Sequence, residues 1–338
     1  MLLAQNSKYA FARFGVWLDM RNVITNRTIL EKAVSRLVRL SFWLLAKAKF
    51  MGNVDLARVM TNNIENILNL QGKLPFFPMQ ATPAERVGAL IQRLHPVRCD
   101  RELIRLGPDS DGGYLAPNDL DGVEVCFSPG VSDVAGFEHD CAERGMMVFM
   151  ADASVDGPPE VHPRFRFLKK FVGPSTNGEF ISLEDWITNS VNGRPGDLLL
   201  QMDIEGAEYE TLLSIPSGLQ NRFRIMIVEF HCLDYLFSEP MFSIYSKVFE
   251  KLLTTHTCVH IHPNNVCRLI KAGELEIPQM AEFTFLRNDR ISRPKYATTF
   301  PHPLDRNNVE KPVIPLPKSC YHSQSNGSVM LNCSIKKT

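Results

Sequence analysis

Apolar residues in this chain come in short runs, and each run gives way to a stretch that repeats at helical spacing. The runs at 123–127 (VEVCF), 147–151 (MVFMA), 165–172, 198–202 (LLLQM) and 224–230 (RIMIVEF) are too short for helices. They are also too continuously apolar for strands with one wet face, and strands covered on both faces have that pattern. Between them, residues 134–144, 183–190, 207–213 and 242–254 predict helices. Ser182 stands where an N-cap belongs, with Asp185 in the first turn behind it. Residues 258–262 and 282–286 predict a closing antiparallel pair. Regular strand–helix alternation predicts an α/β domain with a doubly wound, mostly parallel sheet.

Upstream the pattern changes. Residues 1–75 read as two or three helices ending in the proline-containing GKLPFFPMQ, giving a helical N-terminal extension over 1–80. A short helix is predicted at 83–94. The segment RLGPDSDGGYLAPNDLDG (105–122), rich in Gly, Pro, Asp and Asn, predicts a loop. After Pro312 a surface strap is expected, and over 318–338 a flexible tail. Within residues 30–50, Leu30, Val34, Leu37, Ser41, Leu44, Leu45 and Ala48 share one helical face, and Lys32, Arg36, Arg39, Lys47 and Lys49 form a basic remainder. Such a helix docks on a protein surface or makes peripheral contact with an anionic membrane; both readings stand. No run reaches the roughly 18–20 apolar residues of a membrane span. The start lacks the apolar core and cleavage site of a signal peptide.

Composition narrows the classes. At 338 residues the chain can bury one large core and carry an appendage. Lys+Arg and Asp+Glu both number 37, a balance without the basic footprint of a nucleic-acid binder. Eight cysteines are scattered without a CxxC pair, several inside predicted strands. They read as reduced, buried thiols of a cytoplasmic protein. Without a secretory signal, the Asn-x-Ser/Thr triplets at Asn26, Asn326 and Asn332 read as chance.

Candidate chemistry gathers where the runs end. In LLLQMDIEGAEYETLL (198–213) the apolar strand stops at Asp203, followed by Glu205 and Glu208 around Gly206. Open α/β sheets bind ligands at the carboxyl ends of their strands. The loop SPGVSDVAGFE (128–138) follows the first strand and offers Ser128, Gly130 and Asp133, though only one glycine sits in its tight turn. Asp152 closes the second strand 22 residues after Gly130, a spacing suited to a ribose hydroxyl of an adenosine cofactor. Glu229 and His231 end the RIMIVEF strand on one face. His260 and His262 share a face on a strand expected toward one sheet edge. Asp203 can alternatively N-cap the following helix, and Glu205 can answer only to the helix dipole. Tyr114, beside Gly112 and Gly113, covers the site or packs under the first strand. A metal site built from Asp203, Glu229, His231 and the strand histidines is the weaker reading, and no metal is expected.

These residues resemble the FkbM-type family of S-adenosylmethionine-dependent methyltransferases. The resemblance spans residues 95–317 and is carried by DGGYL (111–115), CFSPGVSDVAGFE (126–138), ADASVDGPP (151–159), QMDIEGAEYETLL (201–213), IVEFH (227–231), HIHPNN (260–265) and FPHPLD (300–305). It implies a class I methyltransferase fold over 95–317, with about seven strands, one of them antiparallel. It also implies S-adenosyl-L-methionine as cofactor and O-methylation of a sugar, glycoconjugate precursor or other small hydroxylated molecule. Ser128, Gly130, Asp133, Asp152 and Asp203 are then the cofactor contacts, and Asp203, Glu205 and His231 the catalytic candidates. Tyr114, Glu229 and His262 are the candidate acceptor contacts. His231 is the preferred general base, because an imidazole titrates near neutrality. A non-catalytic module that keeps the fold, and a metal-dependent hydrolase using the Asp/Glu/His cluster, are the competing expectations.

Overall fold

The computed structural model describes residues 80–323 except Ser132. The helical extension, the amphipathic 30–50 segment, the three Asn-x-Ser/Thr sites and the chain after residue 323 lie outside the described residues. Seven strands build the central sheet: β1 Val125–Pro129, β2 Met147–Ala151, β3 Phe165–Leu168, β4 Leu198–Met202, β5 Phe223–Phe230, β6 His256–Pro263 and β7 Ala281–Arg287. Their order is β3-β2-β1-β4-β5-β7-β6. Strand β7 runs antiparallel to both its neighbours, and the remaining pairings are parallel. The helices are α1 Ala84–Arg93, α2 Gly136–Glu143, α3 Leu183–Val191, α4 Glu208–Ser214, α5 Ser217–Gln220 and α6 Glu239–Leu252. This is an α/β fold with a mostly parallel central sheet, compatible with a Rossmann-like fold.

Every residue of β4 and β5 is buried, as continuously apolar runs require. Alternate side chains feed two cores. Phe127, Leu198, Leu200, Met226 and Val228 pack on one face against Trp186 and Ile187 of α3, Leu212 of α4 and Phe249 of α6. Cys126, Val148, Leu199, Ile225 and Ile227 pack on the other against Phe137 and Cys141 of α2.

The winding departs from the expectation of helices on both faces. Beside α2, the second face is covered by a β-hairpin, because residues 105–122 are not simply loop. Leu103–Leu106 pairs antiparallel with Tyr114–Pro117, and Gly107 and Gly112 supply the left-handed backbone of the turn (φ 89° and 77°). The apolar run 165–172 also breaks after Leu168, and Phe171–Gly173 pairs with Phe180–Ser182 in a separate parallel ribbon. A second unforeseen hairpin joins Leu269–Ala272 to Leu275–Pro278. Helix α6 starts earlier than its apolar pattern, at Glu239, with Pro240 in the first turn where a missing N–H costs nothing.

Other local readings agree with the structure. Ser182 caps α3 by accepting from the Asp185 N–H (3.0 Å). Strand β6, carrying His260 and His262, forms the sheet edge. The expected flexible tail is corrected at its start: the chain past Pro317 forms a 3-10 turn, Lys318–Cys320, with Cys320 buried. Of the described cysteines, Cys126, Cys141, Cys258 and Cys320 are buried, while Cys99, Cys232 and Cys267 are half-buried; all are free thiols. Among the described residues no helix is long and apolar enough to cross a membrane.

Candidate functional site

From β1 the chain winds outward through β2 and β3; from β4 it winds the other way. The carboxyl ends of β1 and β4 therefore flank the sheet's switch point. The Gly130 N–H donates to the Ala151 carbonyl (3.0 Å) and the Asp203 N–H to the Pro129 carbonyl (3.3 Å), tying the ends of β1, β2 and β4 together. Gly130 has φ 89°, and a Cβ there would stand 1.5 Å from the Asp203 carbonyl oxygen. Its glycine is thus required by the approach of two backbones, whatever binds above them.

The other expected cofactor contacts sit differently from one another. Ser128 is wholly buried, its hydroxyl between the Glu138 carboxyl and Gln201 Oε1, 2.6 Å from the latter. One hydroxyl proton cannot serve two acceptor oxygens. Burial pushes the Glu138 carboxyl up to about 7, against the opposing Ser128 hydrogen bond. Protonated Glu138 can therefore donate to Ser128, and Ser128 to Gln201. Asp152 is buried at the end of β2; its Oδ1 accepts from the Ser154 N–H (2.7 Å) and hydroxyl (2.6 Å). Asp133 is exposed and lines an open cleft of about 530 Å³ with Gly107, Pro108, His139 and Pro159.

The strongest convergence follows β4 and β5. Asp203 is not an N-cap, since α4 begins at Glu208 with Ala207 as its cap residue. Glu205 adopts a left-handed backbone (φ 56°) and Gly206 follows at φ 104°. The Glu208 side chain is fully buried. Its Oε1 accepts from the Ile204 N–H (3.1 Å), the Gly206 N–H (3.0 Å) and His231 Nδ1 (3.1 Å). His231 Nε2 lies 3.5 Å from Glu205 Oε2 and 3.8 Å from Asp203 Oδ1. Asp203 Oδ1 is shut off from solvent with no hydrogen-bond partner.

Electrostatics follow from this crowding. Burial raises the Asp203 carboxyl to about 7; the charges of Glu205, Glu208 and Asp111 push the same way and His231 opposes. Burial would lower the His231 pKa, but the hydrogen bond to Glu208 and the charges of Glu208, Asp203 and Glu205 outweigh it and raise it. Asp203, Glu205 and His231 each offer a donor atom, all within 4.8 Å of one another. A single divalent cation could be reached by all three.

Glu229 begins a buried polar row across the neighbouring strands. It stands opposite Glu282, and Glu282 opposite His262. Burial, with the charges of Asp203 and Glu282, holds the Glu229 carboxyl well above its ordinary range. Asn264 donates to Glu229 (2.7 Å), and Asn308 to both Glu282 and Asp111 (3.0 Å each). His262 ends this row and also meets the segment after Phe300, with Nδ1 3.6 Å from Asp305 Oδ2. Tyr114 is buried, edge-on to Phe137 at 5.6 Å, and burial together with the charges of Asp203, Glu229 and Glu282 raises the pKa of its phenol.

The structure thus joins Asp203, Glu205 and His231, with Glu229 close enough to feel the Asp203 charge. It keeps Ser128 in a separate network and Asp133 on an outer cleft, while His262 joins the cluster through Glu282. Glu208, Glu138 and Gln201 are the interacting residues that the sequence reading left out of the site. Gln201 had a signal, as the one amide in an apolar strand run; Glu208 was expected to share a helix face with Glu205, but α4 begins only at Glu208 and Glu205 sits in the turn before it. No protein-family model matches the chain, and no curated protein matches it.

Proposed function

We propose that this chain is an S-adenosylmethionine-dependent O-methyltransferase with a class I fold, acting on a hydroxyl of a saccharide or similar small molecule in the cytoplasm. The observation that carries the reading is the Asp203–Glu205–His231 cluster at the carboxyl end of the strand beside the switch point. Its support is the seven-stranded sheet with a single antiparallel strand, the pattern that the family resemblance implies.

The residues fit the cofactor at two places. Asp152 Oδ2 accepts no hydrogen bond from the described residues, so it is free for a ribose hydroxyl, and Asp203 Oδ1 is an orphaned buried acceptor. The bound cofactor supplies an electrophilic methyl group. The protein's part is to align the acceptor oxygen and remove its proton. His231 Nε2 takes that proton, and Asp203 and Glu205 stabilise the imidazolium that results. Glu229 borders the acceptor side of the cluster.

Titration calorimetry with S-adenosylmethionine tests the class. Native protein should bind, and Asp152→Ala should weaken binding roughly 10–100-fold, as loss of a charge-assisted hydrogen bond does. His231→Ala should keep cofactor affinity yet lower turnover about 10²–10⁴-fold on any hydroxyl acceptor found with methyl-labelled cofactor. A second reading, a non-catalytic binding module, is favoured by Ser128 and Gly130 serving internal contacts. Absence of binding at millimolar cofactor would select it.

A further inference from the structure

A buried carboxylate is tolerated only where donors satisfy it. On Glu208 three donors converge on one oxygen: the N–H groups of Ile204 and Gly206, and His231 Nδ1. The first two belong to the turn from β4 into α4, so Glu208 closes that turn while gripping a ring delivered by β5. The next residue adds a second hold, as the Tyr209 hydroxyl donates to the His231 carbonyl (2.9 Å). The first two residues of α4 therefore restrain both the imidazole and the backbone of His231.

A carboxylate oxygen that already accepts two backbone N–H groups meets Nδ1 as an acceptor, so Nδ1 must carry a proton. In the neutral ring Nε2 is then bare. That nitrogen faces Glu205 Oε2 and Asp203 Oδ1 at 3.5 and 3.8 Å, beyond hydrogen-bond range. Among the described residues these are the only other charged groups paired with the ring. Without Glu208, the available acceptors would be Asp203 and Glu205, and the proton would move to Nε2.

We infer that Glu208 is a positioning residue: it fixes His231 as the Nδ1–H tautomer and presents bare Nε2 to the Asp203–Glu205 side as the proton-accepting nitrogen. The inference rests on the reading of His231 as the proton acceptor, but its test does not. Long-range ¹H–¹⁵N correlation spectra of full-length protein with ¹⁵N-histidine, with His231 assigned by its absence in His231→Gln, report the tautomer above the ring's titration. The native ring should be protonated at Nδ1. Glu208→Gln, whose amide oxygen still accepts, should keep that form, and Glu208→Ala should reverse it to Nε2–H. A native ring protonated at Nε2, or a folded Glu208→Ala protein that keeps Nδ1–H, overturns the inference. The native chain and Glu208→Gln decide the question even where Glu208→Ala does not fold. In an active enzyme Glu208→Gln should cost about 10–100-fold in turnover, as loss of an outer orienting carboxylate does, with cofactor affinity unchanged. The expected tautomer in a chain that binds no S-adenosylmethionine would remove the proposed activity and leave the role of Glu208 standing.

Discussion

Glu138 is 4% exposed, and among the described residues its only side-chain hydrogen-bond partner is Ser128. Its carboxyl titrates near 7 in the fold against an ordinary 4.5, chiefly because burial disfavours the charge. The sign of the consequence is fixed: between those values the folded chain holds a proton that the unfolded chain has released. Stability therefore falls as pH rises from about 4.5 and levels off above about 7. At roughly 1.4 kcal/mol per pH unit, that interval comes to about 3 kcal/mol. Glu138→Gln reproduces the polarity of the protonated acid, donating to Ser128 while Ser128 donates to Gln201. Urea denaturation should give the variant near-native stability at pH 4–5 and up to about 3 kcal/mol more than native at pH 8. A native-like pH dependence in the variant would show that Glu138 ionises freely in the fold. The same trio engages the Ser128 hydroxyl inside the protein, which the sequence reading did not foresee. A serine at a strand end reads as a ligand contact, and nothing local says that a glutamate ten residues later turns back onto it.

Elements were legible in proportion to how fully burial dictated their composition. Strands β1, β2, β4 and β5 lie inside the sheet, so their apolar runs were unambiguous, and β4 led directly to Asp203 and Glu205. The 103–117 hairpin was hidden because its Gly-rich turn dominates the composition, while its pairing depends on seating against the second core. The break after Leu168 was invisible for a related reason: Phe171 and Val172 stay apolar while joining another ribbon. The segment 300–305 looked like a family signature, and its structural task is to pin a strap to the edge strand. Asp305 accepts from His260 Nε2 (2.8 Å) and the His302 N–H (2.7 Å). Burial would raise its carboxyl, but the bond to His260 and the neighbouring His262 hold it well below the usual range. Its contribution is therefore present above the ordinary Asp range and is lost as pH falls from there through the depressed folded value. Asp305→Asn should cost about 2–4 kcal/mol at neutral pH. Hydrogen exchange should accelerate at residues 300–309 and along β6 while β1 and β4 stay protected. Uniform acceleration across the sheet would mean that the strap is not a separate unit.

The two ends of the sheet are built to opposite rules. At the amino ends charges are saturated: Asp197 takes Arg224 (2.7 Å) and both terminal nitrogens of Arg287 (2.6 and 3.0 Å), and Asp119 takes Arg290 through two bonds (2.6 and 2.7 Å). At the carboxyl ends buried acceptors are left over, among them Asp203 Oδ1 and Glu208 Oε2. Leaving such atoms unpaired costs stability, and sites that bind ligands characteristically carry that cost. A ligand seated there should stabilise the whole sheet through mass action, by about 2.7 kcal/mol at a concentration 100 times its Kd. For a domain of this size that is a rise in melting temperature of roughly 5–10 °C. S-adenosylmethionine should produce the rise in native protein, and Asp152→Ala should largely lose it at the same concentration. Exchange protection should concentrate at the carboxyl ends of β1, β2 and β4, with the Asp197–Arg287 end unchanged. A rise of equal size in both proteins, or protection confined to the Asp197–Arg287 end, would place the ligand elsewhere and detach the Asp203 cluster from cofactor chemistry.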